Sequence, residues 1–321
     1  MSDALPFVTV IVPTKPGQAE IPAVTAARAL DYPRERLEII VARGRQPAVQ
    51  RNAAVHAARG ELLYFLDDDA IADPANLRRA VEHFRNAEVQ MLGGPNLCPA
   101  TAPALEQVFA VVLASWLAFG PSRARYDRVG LLRPSGEKEL ILCNLMARRQ
   151  AFLDAGGFNE ALYPNEENAL MDELHQRGAI LLYDPGFIAH RRPRATLRAF
   201  GKMLFTYGRG RAEQFRLHPT PGSALNFVPP FFCAYLAAAP LLSFVLGPVV
   251  FTPLALYLLA VLLQTLASMF SKGFLRALLA APLVAVSHVC YGLGFWRGLF
   301  TPLKKPGDQP ATGVTLDTMP V

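Results

Sequence analysis

Apolar residues follow two different patterns along this chain, and the change falls near Arg216. Before it, short β-branched and aromatic runs alternate with stretches of helical spacing. Phe7-Val-Thr-Val-Ile-Val12, ended by Pro13, is the near-continuous run of an internal parallel strand. Helical sequence over Ile21–Leu30 leads to a second strand, Leu37–Val41, and Gln46–Arg59 reads as a helix stopped by Gly60. Glu61–Leu66 is a third buried strand, short, apolar and aromatic. Strand, helix, strand, helix, strand implies right-handed crossovers and an open α/β sheet. Further on, Ile141–Met146 reads as a strand and a short helix ends at Gly156-Gly157. A helix follows Asn165-Glu-Glu-Asn168 up to Arg177, and Ile180–Tyr183 is a strand that leads through Pro185-Gly186 to His190.

After Arg216 the pattern becomes continuous. Three apolar stretches, about Leu225–Leu246, Val249–Phe270 and Leu275–Trp296, are each close to the roughly 20 residues that carry an α-helix across a bilayer. Pro229, Pro230, Pro240, Pro253 and Pro282 would kink them, which bilayer helices tolerate when neighbours satisfy the freed carbonyls. A positive mean hydropathy together with 18% charged residues fits a soluble part joined to a membrane part. Arg191, Arg192, Arg194, Arg198, Lys202, Arg209, Arg211 and Arg216 precede the first stretch, as the positive-inside rule expects of a cytoplasmic flank. Lys272 and Arg276 fall on the same side after two spans, whereas a third span puts Arg297, Lys304 and Lys305 outside; the larger basic excess favours a cytoplasmic soluble part. Met1–Pro6 has neither a basic nor an apolar leader segment and reads as lacking a signal peptide. Cys98, Cys143, Cys233 and Cys290 have no metal-type spacing and read as free thiols.

The chemistry concentrates after the third strand. Asp67-Asp68-Asp69 follows Leu66 directly, and Asp73-Pro74 then starts a new helix. Taken alone, three aspartates are equally a solvated acidic turn. A buried strand ending in packed negative charge is costly unless a cation resides there. Two apart on an extended chain, Asp67 and Asp69 point the same way and can reach one divalent ion, and oxygen ligands with open positions suit Mg²⁺ or Mn²⁺. Open α/β sheets bind ligands beyond the carboxyl ends of their strands. Pro13, Thr14, the loop after Val41 and Asp67, Asp68 and Asp69 all lie there, on the rim where a nucleotide is expected.

In family order, Val8–Thr14, Arg51-Asn52, Phe65–Asp69, Gly156-Gly157-Phe158, Glu166-Glu167 and His190 resemble the inverting nucleotide-sugar glycosyltransferases of family 2. The resemblance covers roughly residues 7–216 and is nearest to bacterial exopolysaccharide enzymes of the succinoglycan type, which carry a segment like Tyr207-Gly-Arg-Gly-Arg211 before membrane helices. It implies an α/β fold of the GT-A (Rossmann-like) kind, a nucleotide-sugar donor, a Mg²⁺ or Mn²⁺ ion and inversion at the anomeric carbon. By this similarity Asp69 is the main metal ligand, Asp67 bonds the ribose or the metal, and Arg51 contacts the nucleotide. His190 matches a position where some relatives add a metal-ligating imidazole, though it is equally an ordinary histidine among arginines. The general base aligns with Glu167, beside Glu166, where the family has Asp; the two acids otherwise read as complements to a helix dipole. The acid that relatives place after the second strand is absent from Ala42-Arg-Gly-Arg-Gln46, so UDP is expected on family grounds, with Arg43 or Arg45 reaching phosphate. A processive Gln-x-x-Arg-Trp signature is missing, which favours single-sugar addition.

The resulting expectation divides the chain into a cytoplasmic GT-A domain at 1–190, a basic amphipathic interfacial segment at 191–222, a transmembrane region of about three helices at 223–300 and a flexible tail at 301–321. Leu197, Phe200, Met203, Leu204 and Phe205 would lie in the cytoplasmic leaflet of the inner membrane, with Arg209 and Arg211 facing a polyprenyl-diphosphate-linked saccharide acceptor. No nucleic acid partner is implied. The alternative is a catalytically inactive membrane partner of a glycan-assembly complex that keeps the fold.

Overall fold

β1 (Val8–Thr14) is buried along its whole length, and the alternation of its side chains supplies both faces of a core. In the computed structural model, which describes residues 5–162, 165–217, 219, 221–303 and 313–321, β1 lies inside a sheet. β2 (Leu37–Arg43) and β3 (Leu62–Leu66) flank it in parallel, connected through α1 (Pro22–Arg28) and α2 (Pro47–Ala57). Val8, Val10 and Val12 pack on one side with Val24, Leu77 and Val81; Ile11 packs on the other with Val55, Phe65 and Phe152.

β4 (Ile71–Ala72), α3 (Asn76–Phe84), β5 (Val89–Gly93) and β6 (Asn96–Leu97) follow, then α4 (Ala104–Leu113) and α5 (Trp116–Phe119). The chain returns through β7 (Arg133–Pro134), β8 (Asn144–Arg148), α6 (Arg149–Asp154), α7 (Glu166–Gln176), β9 (Ile180–Tyr183) and β10 (Ala189–His190). β8 enters antiparallel between β3 and β5, so the sheet is mixed; a small second sheet has the order β4, β10, β6. Sequence pattern gave no warning of β5, whose Gly93-Gly94 end and interrupting Gln90 dilute the strand signal.

The helices that close the chain are α8 (Leu197–Leu217), α9 (Val228–Leu246), α10 (Thr252–Lys272) and α11 (Phe274–Phe300); after them β11 (Thr315–Met319) pairs antiparallel with β2 at the sheet edge. The flexible tail expected at 301–321 is therefore corrected over 315–319. Arg28 and Arg34 hold the carbonyls of Pro320 and Val321, and Arg43 pairs with Asp317, which fixes this edge strand. Residues 1–4 and Lys304-Lys305, used above to argue orientation, lie outside the described residues.

Contacts divide the chain into two compact units, and the division corrects the continuous 1–190 domain. One holds 1–99, 124–191 and 304–321; the other holds 100–123 and 192–303. α4 and α5 thus belong with the C-terminal helices. The signal was present in Ala104–Phe119, an apolar run interrupted by a single acid, but its position inside the α/β sequence masked it. Within the second unit two helical stretches are long and apolar enough to cross a membrane, Ser223–Lys272 and Phe274–Phe300. The first comprises α9 and α10, parted at Gly247, whose positive φ ends α9. α8 forms where the basic segment was expected, but its apolar face is turned inward. Phe200 and Leu204 are buried, and the Phe200 ring stacks on Phe109 of α4 at 4.3 Å. α8 also lies so close to α11 that a Cβ at Gly208 or Gly294 would collide with backbone of the facing helix. Those side chains are therefore not available to the leaflet, which corrects the interfacial reading of residues 200 and 204.

In the α/β unit a buried polar network braces the chain that leads to β10. The Tyr64 hydroxyl donates to Asn144 Oδ1 at 2.8 Å and accepts from Asn76 Nδ2 at 2.9 Å. Both amides also hold the backbone of Phe187 and Ile188. Tyr64→Phe strands two buried amide groups and should lower stability by about 1–3 kcal/mol, read as a lower thermal midpoint of the solubilised protein. An unchanged midpoint would contradict the network's role.

Candidate active site

β3 is wholly buried as far as Leu66, and the acids begin where it surfaces. Asp67 Oδ1 accepts from Arg51 Nη2 at 2.7 Å and Oδ2 from Arg191 Nη1 at 2.8 Å. Asp69 Oδ1 accepts from Arg191 Nε at 2.5 Å. The two carboxylates thus converge on one cationic group, brought together not by extended chain but by a turn at 67–70 that the Ala70 N–H closes on the Asp67 carbonyl at 3.0 Å. Burial pushes the Asp69 carboxyl up, Arg191 opposes that, and the neighbouring Asp67 adds to it. Asp68 turns its backbone away and accepts the Ala23 N–H at 3.1 Å.

Arg191 follows β10 on still-extended chain, its N–H donated to the Leu97 carbonyl at 3.0 Å. Sequence reasoning counted it only as topology charge; its place just past a strand end was the available signal. His190 precedes Arg191 on β10, opposite Ile71 and Leu97, and among the described residues no group of three His, Cys, Asp or Glu side chains converges as a metal site. Of the expected ligands, Asp67 and Asp69 are the two that share a partner, Arg191. Hard oxygen donors from one or two carboxylates, with positions left for waters and phosphate oxygens, fit Mg²⁺ or Mn²⁺, and a bridging guanidinium marks the spot as one that takes a cation.

Arg51, on α2, is 4% exposed and joins this cluster to α7, its Nη1 lying 3.4 Å from Glu166 Oε1. Its buried Nε has no hydrogen-bond partner among the described residues. Asn165 enters α7 with φ 108°, a left-handed conformation that is unfavourable for a non-glycine residue and clusters at functional sites. Asn168 Nδ2 holds the Asn165 side chain at 2.8 Å, and Asn168 Oδ1 accepts from Arg125 at 2.7 Å. Glu166 is buried, whereas Glu167 is half-exposed and has no ion-pair or hydrogen-bond partner among the described residues. Burial, then the charge of Glu167, pushes the Glu166 carboxyl up to about 7 against the pull of Arg51. The two acids predicted together thus differ in kind, one locked inward and one open.

Pro13 and Thr14 end β1 on the same rim. Gln50 Nε2 donates to the carbonyls of Thr14 at 2.8 Å and Ala42 at 2.5 Å, so α2 clamps the ends of β1 and β2, a role the sequence did not disclose. Arg43, expected at phosphate, is instead bound to Asp317 Oδ2 at 2.6 Å and the Gln18 carbonyl at 2.8 Å; Arg45 is exposed. The acid missing from this loop locally is brought to it by β11. In the other unit, Arg209 lies 3.4 Å from Glu213 and Arg211 donates to Gln214 at 3.2 Å, both along α8.

Residues 22–99, from α1 through the acidic cluster to just past β6, match the family model described as Glycosyl transferase family 2. The segment that carries the family 2 match thus lies on the mixed α/β sheet and includes the acidic cluster, and helices long and apolar enough to span a membrane follow later in the chain. The chain is 31% identical over 187 residues to the succinoglycan biosynthesis protein ExoA of Rhizobium meliloti (strain 1021), an alignment covering 58% of this chain and 54% of that protein. It therefore spans about half the length of this relative. Among solved structures, the mannosyltransferase PcManGT of Pyrobaculum calidifontis, determined with GDP-Man and Mn²⁺, superposes with a TM-score of 0.55 at 17% identity, covering 93% of this chain and 88% of that one. That likeness is one of fold.

Glu166 also gives a stability prediction. Its carboxyl is raised from 4.5 to about 7 on folding, so the native state holds the proton more tightly than the unfolded chain. The associated stability is complete below about pH 4.5 and falls as pH rises toward 7. Glu166→Gln should flatten the decline of the thermal midpoint across that window. Parallel profiles for the variant and the parent would show the acid is not held protonated.

Proposed function

We propose that this protein is a membrane-anchored inverting glycosyltransferase. It moves one sugar from a nucleoside-diphosphate sugar to a lipid-linked saccharide in exopolysaccharide or envelope glycan synthesis. The observation that carries the reading is the convergence of Asp67 and Asp69 on one cation-binding point at the end of a buried strand, inside the family 2 segment. The relative's part in succinoglycan biosynthesis supports the pathway class, and the neighbour's GDP-Man and Mn²⁺ support a nucleotide-sugar donor and a divalent ion. Nothing among the described residues favours the inactive-partner alternative. We place the catalytic unit on the cytoplasmic side of the inner membrane, with Arg209 and Arg211 facing lipid headgroups or an acceptor diphosphate.

Asp67 and Asp69 would hold Mg²⁺ or Mn²⁺, which when bound neutralises the diphosphate of the departing nucleotide. Pro13, Thr14 and Asp68 border the nucleotide. Arg51 fixes the orientation of Asp67 and ties it to α7, and its unpartnered Nε leaves a donor beside the acids. Arg191 keeps both carboxylates compensated and lends the rim a guanidinium for phosphate oxygens. Glu167, open where Glu166 is buried, takes the proton from the acceptor hydroxyl as it attacks the anomeric carbon; Glu166 is a positioning residue that holds Arg51.

Asp69→Ala should abolish Mn²⁺ binding, read by calorimetry on the folded protein, and sugar transfer with it. Retained transfer in excess chelator would remove the metal from the account. Glu167→Gln cannot accept a proton and should reduce turnover by roughly 10² to 10⁴, with donor affinity unchanged. If Glu166→Gln is instead the variant that binds donor without turnover, the base is the buried acid.

A further inference from the structure

The chain leaves the α/β unit after Pro99 and rejoins it at Ala124. In between, α4 and the stretch Trp116–Arg125 are together long and apolar enough to cross a membrane, but they are bent by 60° at the break between them. A complete crossing is excluded by connectivity. β5 precedes the excursion and β8 follows it, and the two are hydrogen-bonded neighbours in one sheet. A segment that crossed once would leave them on opposite sides of the bilayer.

The break is satisfied in an unusual way. Helix ends leave orphan N–H and C=O groups, and in hydrocarbon no water is available to take them. The Leu117 N–H donates to Gln264 Oε1 at 3.3 Å, and the Leu117 carbonyl accepts from His288 Nε2 at 2.9 Å. The other ring nitrogen of His288 meets the Tyr257 hydroxyl at 2.8 Å. Ser115 Oγ caps the same turn through the Ala118 N–H at 3.2 Å. Gln264 and His288 sit in otherwise apolar helices, where polar side chains are unfavourable unless they have a task. Measured from the turn at Gly273, Gln264 lies about 14 Å along α10 and His288 about 22 Å along α11, at 1.5 Å per residue. Both are inside a hydrocarbon layer of about 30 Å that begins near Lys272 and Arg276, and Leu117 lies between their levels. The single acid of α4, Glu106, is buried against Arg192, with Oε2 2.7 Å from Nε, and on the returning limb the Arg123 guanidinium lies over the Trp116 ring, 5.5 Å from its centroid. Trp116 and Leu105 remain exposed, an apolar outer face.

We propose that residues 104–125 form a re-entrant elbow that enters the bilayer from the side of the α/β unit and returns to it. Acyl chains are the partner of its outer face, and Gln264 and His288 satisfy its broken backbone. The inference rests on reading α10 and α11 as membrane helices, and the test separates the two. The chain has two tryptophans, Trp116 in the elbow and Trp296 in α11. Trp296→Phe and Trp116→Phe each leave one reporter in the full chain, with folding checked by circular dichroism. Each variant is reconstituted into phosphatidylcholine vesicles whose acyl chains carry bromine. Trp116 emission should be strongly quenched by bromines at mid-chain and hardly by aqueous iodide, while Trp296 responds to bromines nearer the glycerol. Trp116 quenched by iodide and not by bromolipid, with Trp296 still quenched by bromolipid, would overturn the elbow alone. Indifference of both tryptophans to bromolipid would overturn the membrane reading and the elbow together.

Discussion

A pair of arginines holding a pair of aspartates is the constraint around which the α/β unit is organised. β3 has to be fully buried to serve as a central strand, yet it delivers Asp67 and Asp69 to its end, where their charges would repel and resist desolvation. Arg51 approaches from α2 and Arg191 from the chain beyond β10, and each takes one oxygen of Asp67. Position is thereby fixed from two directions by elements far apart in sequence. The Tyr64–Asn76–Asn144 network supports the same result from below, because it holds the backbone of Phe187 and Ile188 that leads to Arg191. Breaking one partner of such a buried arrangement leaves a charge uncompensated, which is far more damaging than never having built the pair.

The same guanidinium links rest state to chemistry. A divalent ion held by Asp67 and Asp69, as proposed, would compete with Arg191 for the same carboxylate oxygens, and in the structure Arg191 keeps both acids compensated. Glu166 extends the network to the start of α7, where burial makes it a poor place for a free negative charge. Its neighbour Glu167 is less buried. One helix start therefore presents an acid locked into the network with Arg51 and a second that is the proposed base.

Much of this was legible in the chain. The β-branched run at Val8–Val12 and the aromatic run before Asp67 gave a buried parallel sheet because burial on both faces requires such composition. The aspartates converge as expected, but through a turn at 67–70 and not through the extended chain that the spacing of two assumed. Residues that act over distance were not legible. Arg191 looked like one arginine in a basic run, and nothing local marks Asp317 as the acid that would sit beside Arg43, 274 residues away. His190 was assigned to the metal by position alone, on the strand that leads to Arg191. Ala104–Phe119 was hidden for another reason: its apolar run is no longer than a core helix, and only the polar side chains at Gln264 and His288 reveal its surroundings.

The most direct test is an anomalous-difference map of the protein with Mn²⁺ and a nucleoside diphosphate bound. The account predicts one strong peak within bonding distance of both Asp67 and Asp69, phosphate oxygens on its open side, and the Arg191 guanidinium moved off the carboxylates. A nucleotide bound with Arg191 still bridging Asp67 and Asp69, and manganese elsewhere or absent, would contradict it.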